Sequence, residues 1–393
     1  MPVETALIWD DVLASYRFHE EHPMNPRRLA WTVGLIRELG LVGGEARPEL
    51  APRPATDEEL LLAHAPEYVA AVKRLSRAGA EPAEGARFGL GTEDTPLVEG
   101  MHEAASLVVG GTLVAAEAVM SGRVTRAFNP AGGLHHARRA EAAGFCIYDD
   151  LAVAIRWMQR THSARVMYID YDAHHGDGVQ QIFYGDPDVL TVSFHESGTY
   201  LFPGTGYPDE LGEGDGYGYS VNVPLDAHTE DDSFLAAFRS LVPELADAFR
   251  PDVIVLQNGC DAHVLDPLTH LRCTTRLYEE TVKVVGEVAD RHCRGRIVAT
   301  GGGGYAAYTV VPRAWTLVWA GLCGVEAPDA LPPEWVRRVR LESRVDVPVT
   351  LRDPPDAFAP SPRRAEVEAA NARTVASVRR KVLPLLTGWG LAF

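Results

Sequence analysis

Basic residues are in short supply in this 393-residue chain: 37 Lys and Arg stand against 54 Asp and Glu, a net charge of −17. Lys and Arg supply the affinity for a phosphate backbone, so the shortage argues against a nucleic acid as main partner. It does not exclude a cationic ligand, which such a surface would steer inward. Cysteine is scarce too. Cys146, Cys260, Cys273, Cys293 and Cys323 are far apart, odd in number and without a Cys-x-x-Cys pair. That excludes a disulfide framework and a thiolate zinc site, and leaves the reduced thiols of a cytosolic protein. The first ten residues have no basic stretch, and Glu4 and Asp10 interrupt any apolar run. No window offers the roughly 18 uncharged apolar residues of a membrane span. The expectation is a soluble, cytoplasmic protein without signal peptide or membrane segment.

What is present is enough to build a core: 46% of the residues are hydrophobic and 23% charged. No internal repeat is visible. A rhythm recurs instead, of a short apolar run, a glycine-bearing loop and a helical stretch. Strands are expected at 6–9, 124–128, 166–170, 189–194, 220–223, 253–257 and 297–300, several of them apolar on both alternations, as strands buried on both faces are. Helices are expected at about 26–39, 57–75, 98–121, 149–160, 231–249, 275–292 and 308–323, with Thr56 and Glu59 at capping-box spacing. Alternation of this kind implies βαβ units and a mainly parallel sheet covered on both faces. Beyond about residue 325 the chain is rich in Pro and charge. It then shows one more helix, with Val375, Val378 and Val382 on one face, expected to pack back on the body. The reading is a single domain over 1–393, with a core of about 3–325.

Four polar clusters directly follow an expected strand. Phe128 leads to Asn129-Pro-Ala-Gly-Gly-Leu-His135-His136, and Ile169 to Asp170-Tyr-Asp172-Ala-His174-His175-Gly176-Asp177. Gln257 leads to Asn258-Gly-Cys-Asp261, and Thr300 to Gly301-Gly302-Gly303-Gly304-Tyr305. Ligands of open parallel sheets bind at the carboxyl ends of strands, so four coincidences describe a site where one would describe a loop. Asp172 and His174 are two apart; on an extended chain their side chains share one side. Asp261 from a neighbouring loop would complete three ligands, which leaves an open position for water. Taken singly, each Asp is better read as a helix cap and each His as a satisfied polar group; the string together is not. One imidazole and two carboxylates suit Zn²⁺, and also resemble sets that hold Fe²⁺ or Mn²⁺.

The His135-His136 pair has two spare carboxylates for company, Asp170 and Asp177. A carboxylate that accepts one N–H of an imidazole fixes its tautomer and raises its basicity. Two such units look like acid–base machinery beside a metal-activated water. A pair of core histidines is the bland alternative. The tetraglycine costs chain entropy and would let the backbone approach a ligand and present Tyr305 there, where a phenol can stabilise an oxyanion. Neither a Lys-Ser/Thr nor a G-x-G-x-x-G pattern marks it as a phosphate loop.

The strings Pro130-Ala-Gly-Gly-Leu-His-His, Gly144-Phe-Cys-Ile-Tyr-Asp-Asp, Asp170-Tyr-Asp-Ala-His-His-Gly-Asp-Gly-Val, Phe202-Pro-Gly-Thr-Gly and Gly301-Gly-Gly-Gly-Tyr resemble, in order, the signature of the histone deacetylases. The likeness runs from about residue 9 to 319, and Gly89-Leu-Gly-Thr-Glu-Asp-Thr-Pro96 is similar to a bacterial, class I-like branch. The resemblance implies the arginase/deacetylase α/β fold, a central, mostly parallel eight-stranded sheet flanked by helices. It implies Asp172, His174 and Asp261 as zinc ligands, and His136, backed by Asp177, as general base and then acid. His135, backed by Asp170, would be an electrostatic partner, and Tyr305 would polarise the acetyl carbonyl. Gly144, Phe145, Phe202 and Leu268 would line a tunnel for an acyl-lysine stem. Asp94, or its neighbour Glu93, would hold the substrate backbone at the rim. A structural K⁺ or Na⁺ would sit at Asp170, Asp172, His174, Ser193 and Phe194, and another at Phe183, Asp186, Val189 and Tyr219. Arg28 would line an acetate exit or lie on a helix surface.

Three rivals stand beside this reading. A two-manganese ureohydrolase shares the fold, but it needs an Asp-x-Asp pair where Gly259 and Cys260 precede Asp261. A deacetylase of acetylpolyamines, or of another small acetylated amine, would suit the acidic surface. A non-catalytic binding module would not need every catalytic residue type in place. Oligomeric state is not legible.

Overall fold

The computed structural model describes residues 4–15 and 17–388, so the outermost ends of the 1–393 span lie outside the described residues. Eight strands form one sheet: β1 (Thr5–Ile8), β2 (Glu49–Leu50), β3 (Arg126–Asn129), β4 (Val166–Asp170), β5 (Val189–Glu196), β6 (Ser220–Leu225), β7 (Val253–Gln257) and β8 (Ile297–Thr300). Their order is β2-β1-β3-β8-β7-β4-β5-β6, and every pairing is parallel rather than mostly so. All seven expected strands are present. The eighth, β2, pairs only at the edge and is two residues long, too short for any alternation to show.

Parallel sheets need both faces covered, and alternate side chains enter two separate cores. In β4, Met167 and Ile169 join one core while Val166 and Tyr168 join the other. Helices Arg27–Glu38, Asp231–Phe249, Thr275–His292 and Val311–Cys323 cover the first face. Pro66–Leu75, Met101–Met120 and Asp150–His162 cover the second. Met101–Met120 is long and apolar enough, by length and composition, to cross a membrane. Here it packs as a core helix, with Val109, Leu113 and Val119 fully buried. All five cysteines are buried and unpaired.

The stretch 57–75 is two helices, not one: Asp57–Leu60 and Pro66–Leu75. The capping box forms as its spacing implies, Thr56 accepting from Glu59 N and Glu59 from Thr56 N. Pro66 ends that run, because its ring disfavours helical backbone at the residue before it. Ala65 is accordingly extended (φ −73°, ψ 143°), and its N–H donates to the Arg139 carbonyl.

Two further helices follow the core, Pro333–Ser343 and Arg364–Leu386. Val375, Val378 and Val382 of the second are buried and belong to the first core. Asp353, between these helices, accepts from Arg313 Nη1 (2.8 Å), from His263 Nε2 (2.8 Å) and from Thr275 N (3.0 Å). A buried carboxylate with three donors pins this segment to the body.

Candidate active site

β3, β8, β7 and β4 are consecutive in the sheet, and the four polar clusters are the loops at their carboxyl ends. Sequence-distant residues thus meet over the centre of one edge. The loop after β4 turns at once and does not stay extended, so alternation is not what pairs Asp172 with His174. Successive aspartates bend it: Asp172 N donates to Asp170 Oδ1 (3.1 Å), and His174 N donates to Asp172 Oδ1 (3.0 Å). This is the side-chain-to-backbone bonding that makes Asp a turn residue.

His174 Nδ1 lies 3.2 Å from Asp172 Oδ1 and 2.8 Å from Asp261 Oδ2. Ligand atoms of the three residues lie within 4.8 Å of one another, all buried. The carboxylates are aimed from behind. Asp172 Oδ2 accepts from Gln257 Nε2 (2.8 Å) and Gly303 N (2.7 Å), and Asp261 Oδ1 from Ala173 N (2.8 Å). Only glycine fits at 303, where a Cβ would come 2.2 Å from Asp261 Oδ2. Burial would push His174 down, yet the two carboxylates hold it well above the usual imidazole range. Burial and the facing Asp172 push Asp261 up. Two carboxylates this close and this buried favour a positive charge between them. A divalent cation fits that requirement, and one imidazole with two carboxylates is a fitting donor set. Among the described residues this is the one such group of three. Where an Asp-x-Asp pair would bring a second carboxylate two residues before Asp261, Gly259 packs on the Asp172 carboxylate and offers no side-chain ligand.

His135 and His136 sit beside this group. His135 Nδ1 donates to Asp170 Oδ2 (2.8 Å) and His136 Nδ1 to Asp177 Oδ1 (2.7 Å). Burial lowers His135, but Asp170 and Asp172 overcome it and raise the ring to about 9. Burial and the neighbouring His135 push His136 down to about 4 against the pull of Asp177. Burial raises Asp177, but His136 and the Arg138 guanidinium hold it at about 2. Gly144 has φ +49°, and a Cβ there would come 2.3 Å from the His136 ring, so glycine is required.

Aromatic rings wall the site. Phe202, 46% exposed, meets His136 edge-on at 5.1 Å, and Phe145 meets Tyr305 at 5.7 Å. Phe145 holds a left-handed backbone (φ +69°), a strained conformation for a bulky side chain. Tyr305 is half-buried, its N–H donating to Asp266 Oδ2 (2.7 Å) and its ring 6.4 Å from that of His174. Burial, then Asp261 and Asp172, hold its phenol well above the ordinary range, so it stays a donor. Leu268 lies on the Asp266 loop, its N–H bonded to Asp266 Oδ1 (3.0 Å). Asp94 and Glu93 are both exposed. Only Asp94 is linked to the wall: its carbonyl accepts from His22 Nε2 (3.2 Å), and the His22 ring packs 4.7 Å from Phe145. Arg28 is not on a helix surface. It is buried, bonds the Gly304 carbonyl (2.9 Å) and lines a cavity of about 80 Å³ together with Phe145 and Leu134.

The residues implied for monovalent cations also cluster. Ser193 pairs in register with Asp170, next to Phe194 and beside the loop of Asp172 and His174. Asp186 N donates to the Phe183 carbonyl, Val189 N to the Asp186 carbonyl and Thr191 N to the Tyr219 carbonyl. Each carbonyl keeps a second lone pair for a cation. Sequence reading missed Gln257, Asp266, Arg138 and Asp150. Asp150 accepts from Gly133 N and Leu134 N and so fixes the His135-His136 loop. Its signal was the acidic pair at the start of the helix Asp150–His162, which reads as ordinary capping.

The histone deacetylase domain family matches residues 22–322. The chain belongs to the histone deacetylase family, and it is a deacetylase. It is 51% identical over 373 residues to the acetoin utilization protein AcuC of Bacillus subtilis (strain 168), covering 95% of this chain and 96% of that one. It is 39% identical to AcuC of Staphylococcus xylosus, covering 96% and 98%. A crystal structure of an HDAC homolog from Aquifex aeolicus superposes with a TM-score of 0.84 at 32% identity, covering 95% of this chain and 100% of that one. An HDAC homolog complexed with SAHA gives 0.83 at 32%, covering 94% and 99%.

Proposed function

We propose that this single-domain deacetylase hydrolyses the acetyl amide of N-acetyl-lysine in proteins, or of a similar small acetylated amine. The observation that carries the reading is the meeting of Asp172, His174 and Asp261 with the paired histidines between Phe145 and Phe202. Those three residues would hold a divalent ion, Zn²⁺ first and Fe²⁺ second by ligand type. Such an ion, when bound, supplies a water activated near neutral pH and a Lewis acid for the carbonyl.

The chain's own residues do the rest. His136 takes a proton at Nε2 as general base and delivers it to the departing amine nitrogen, with Asp177 holding Nδ1. His135 and Asp170 supply the adjoining charge. Tyr305 donates its phenolic proton in a hydrogen bond to the carbonyl oxygen as negative charge develops there. Phe145, Phe202, Gly144 and Leu268 grip a slim aliphatic stem, and Asp94 receives the substrate's backbone N–H at the rim. Asp170, Asp172, His174, Ser193 and Phe194 would hold one K⁺ or Na⁺, and Phe183, Asp186, Val189 and Tyr219 another. Reduced, buried cysteines suit a cytoplasmic enzyme.

Turnover of an acetyl-lysine peptide, an acetylpolyamine and agmatine on metal-analysed protein tests the reading. The expected result is peptide turnover with about one divalent ion per chain. Faster acetylpolyamine turnover would move the substrate to that class. Agmatine turnover with two manganese ions would overturn the deacetylase chemistry.

A further inference from the structure

Away from the acyl-stem wall, a groove of about 560 Å³ is lined by Arg87, Arg138, Arg139 and Arg156, with Glu141 and Gln181. In a chain of net charge −17 this gathering of guanidinium groups is a local reversal of sign. The four are not equally committed. Arg156 is bound to Asp186, and Arg138 divides itself between Asp177 Oδ2 (3.0 Å) and Glu141 Oε2 (3.1 Å). Among the described residues no carboxylate ion-pairs with Arg87 or Arg139, and both are exposed. Both are nonetheless positioned. The Arg87 guanidinium stacks 4.4 Å over the Phe88 ring, which leaves its N–H edge open, and the Arg139 carbonyl accepts from Ala65 N. Arg156 stacks 4.4 Å over Phe183. The groove therefore presents two guanidinium groups without a carboxylate partner, Arg87 and Arg139, beside Arg138 and an Arg156 already committed to Asp186, Gln159 and the Ile182 carbonyl.

The geometry points to a second binding site here, for a small molecule carrying two or more phosphate groups. The planar fork of Arg matches a phosphate oxygen pair bidentately, and at Arg87 and Arg139 no carboxylate occupies it. The volume lies in the range of small-ligand pockets, roughly 300–1,000 Å³, and exceeds the needs of a single phosphate. The site is joined to the reacting groups by one residue. Arg138 forms the groove wall and also holds Asp177, which orients His136. An anion that draws Arg138 outward takes that hydrogen bond from Asp177 and lowers turnover without competing with the acetylated substrate.

Calorimetric titration of the metal-loaded enzyme with inorganic pyrophosphate tests this, beside the double variant R87A/R139A, whose residues touch neither substrate nor metal. The double variant should bind pyrophosphate at least ten-fold more weakly, with its melting temperature and basal kcat as in the wild type. Pyrophosphate should lower kcat in the wild type at unchanged KM, and leave the double variant unaffected. Equal binding by both proteins would overturn the site and would instead mark chelation of the catalytic metal, which does not depend on Arg87 or Arg139. Tighter binding of citrate or of duplex DNA than of pyrophosphate would overturn the assigned ligand class. Saturation with pyrophosphate at unchanged wild-type kcat would overturn the link through Arg138.

Discussion

Nε2 of His135 and Nε2 of His136 face each other at 3.1 Å, while each ring turns its Nδ1 to its own aspartate. Only one proton fits between the two nitrogens. Because His135 is held up and His136 down, it resides on His135 and is donated to the His136 lone pair. Part of what holds His135 up is Asp172, a metal-ligand candidate. A cation on Asp172 weakens that hold and frees the His136 lone pair for a proton from water. The rings therefore have unequal duties. H136A should lose about 10²–10⁴-fold in kcat, the usual contribution of a positioned general base. H135A should lose less, with metal content unchanged in both. Kinetics on the two variants at equal metal loading check it, and a larger loss in H135A would exchange the assignments.

Asp261 reaches the site from β7 and is the metal-ligand candidate farthest in sequence from the other two. D261A should abolish bound metal and turnover together while the circular dichroism spectrum stays that of a folded protein. The fall in metal affinity should exceed the roughly 10–100-fold seen when an outer partner of a ligand is removed. Elemental analysis with an activity assay decides, and full metal occupancy with normal turnover would remove Asp261 from the set.

Most of this site was legible because its residues follow short strand-like runs that alternate with helical stretches. Asp172, His174, Asp261, His135, His136 and Tyr305 were all placed by that rule. What stayed hidden was how the loops are held. Gln257 reads as the last residue of a strand, yet its side chain aims Asp172. Alternation was the wrong reason for a correct pairing of Asp172 with His174, since aspartate-to-backbone bonds turn that loop. β2 and the short helix Asp177–Phe183 escaped because two and seven residues are too few to display a period.

Asp353 joins the C-terminal segment to the core through Arg313 and His263, all three side chains buried. Burial raises its carboxyl, but the hydrogen bond from His263, the positive charges and the Thr275 N–H outweigh it and hold it well below the usual range. A depressed folded-state pKa contributes stability above the unfolded value, about 3.9, and loses it as the pH falls through and below that value. D353N should destabilise by about 3–5 kcal/mol at neutral pH, because Arg313 is left buried without its counter-charge. The gap in melting temperature between wild type and variant should hold constant above about pH 5 and narrow below about pH 4. A gap independent of pH across that window would show that Asp353 ionisation does not contribute.

Tyr305 separates a catalytic phenol from a packing one. Asp266 fixes its backbone N–H, and its ring stands edge-on to those of Phe145 and His174. Y305F keeps the ring and these contacts and removes one oxygen. If that oxygen donates to the developing oxyanion, the loss is about 10²–10³ in kcat, or roughly 3–4 kcal/mol of transition-state stabilisation. Metal content and melting temperature should stay at wild-type values, because the ring still fills its place. A tyrosine that served packing alone would show lower stability and normal turnover per folded molecule. Measuring kcat, metal content and melting temperature on this one variant distinguishes the two. Turnover within a few-fold of wild type would take Tyr305 out of the chemistry and leave the carbonyl without a side-chain donor from this chain.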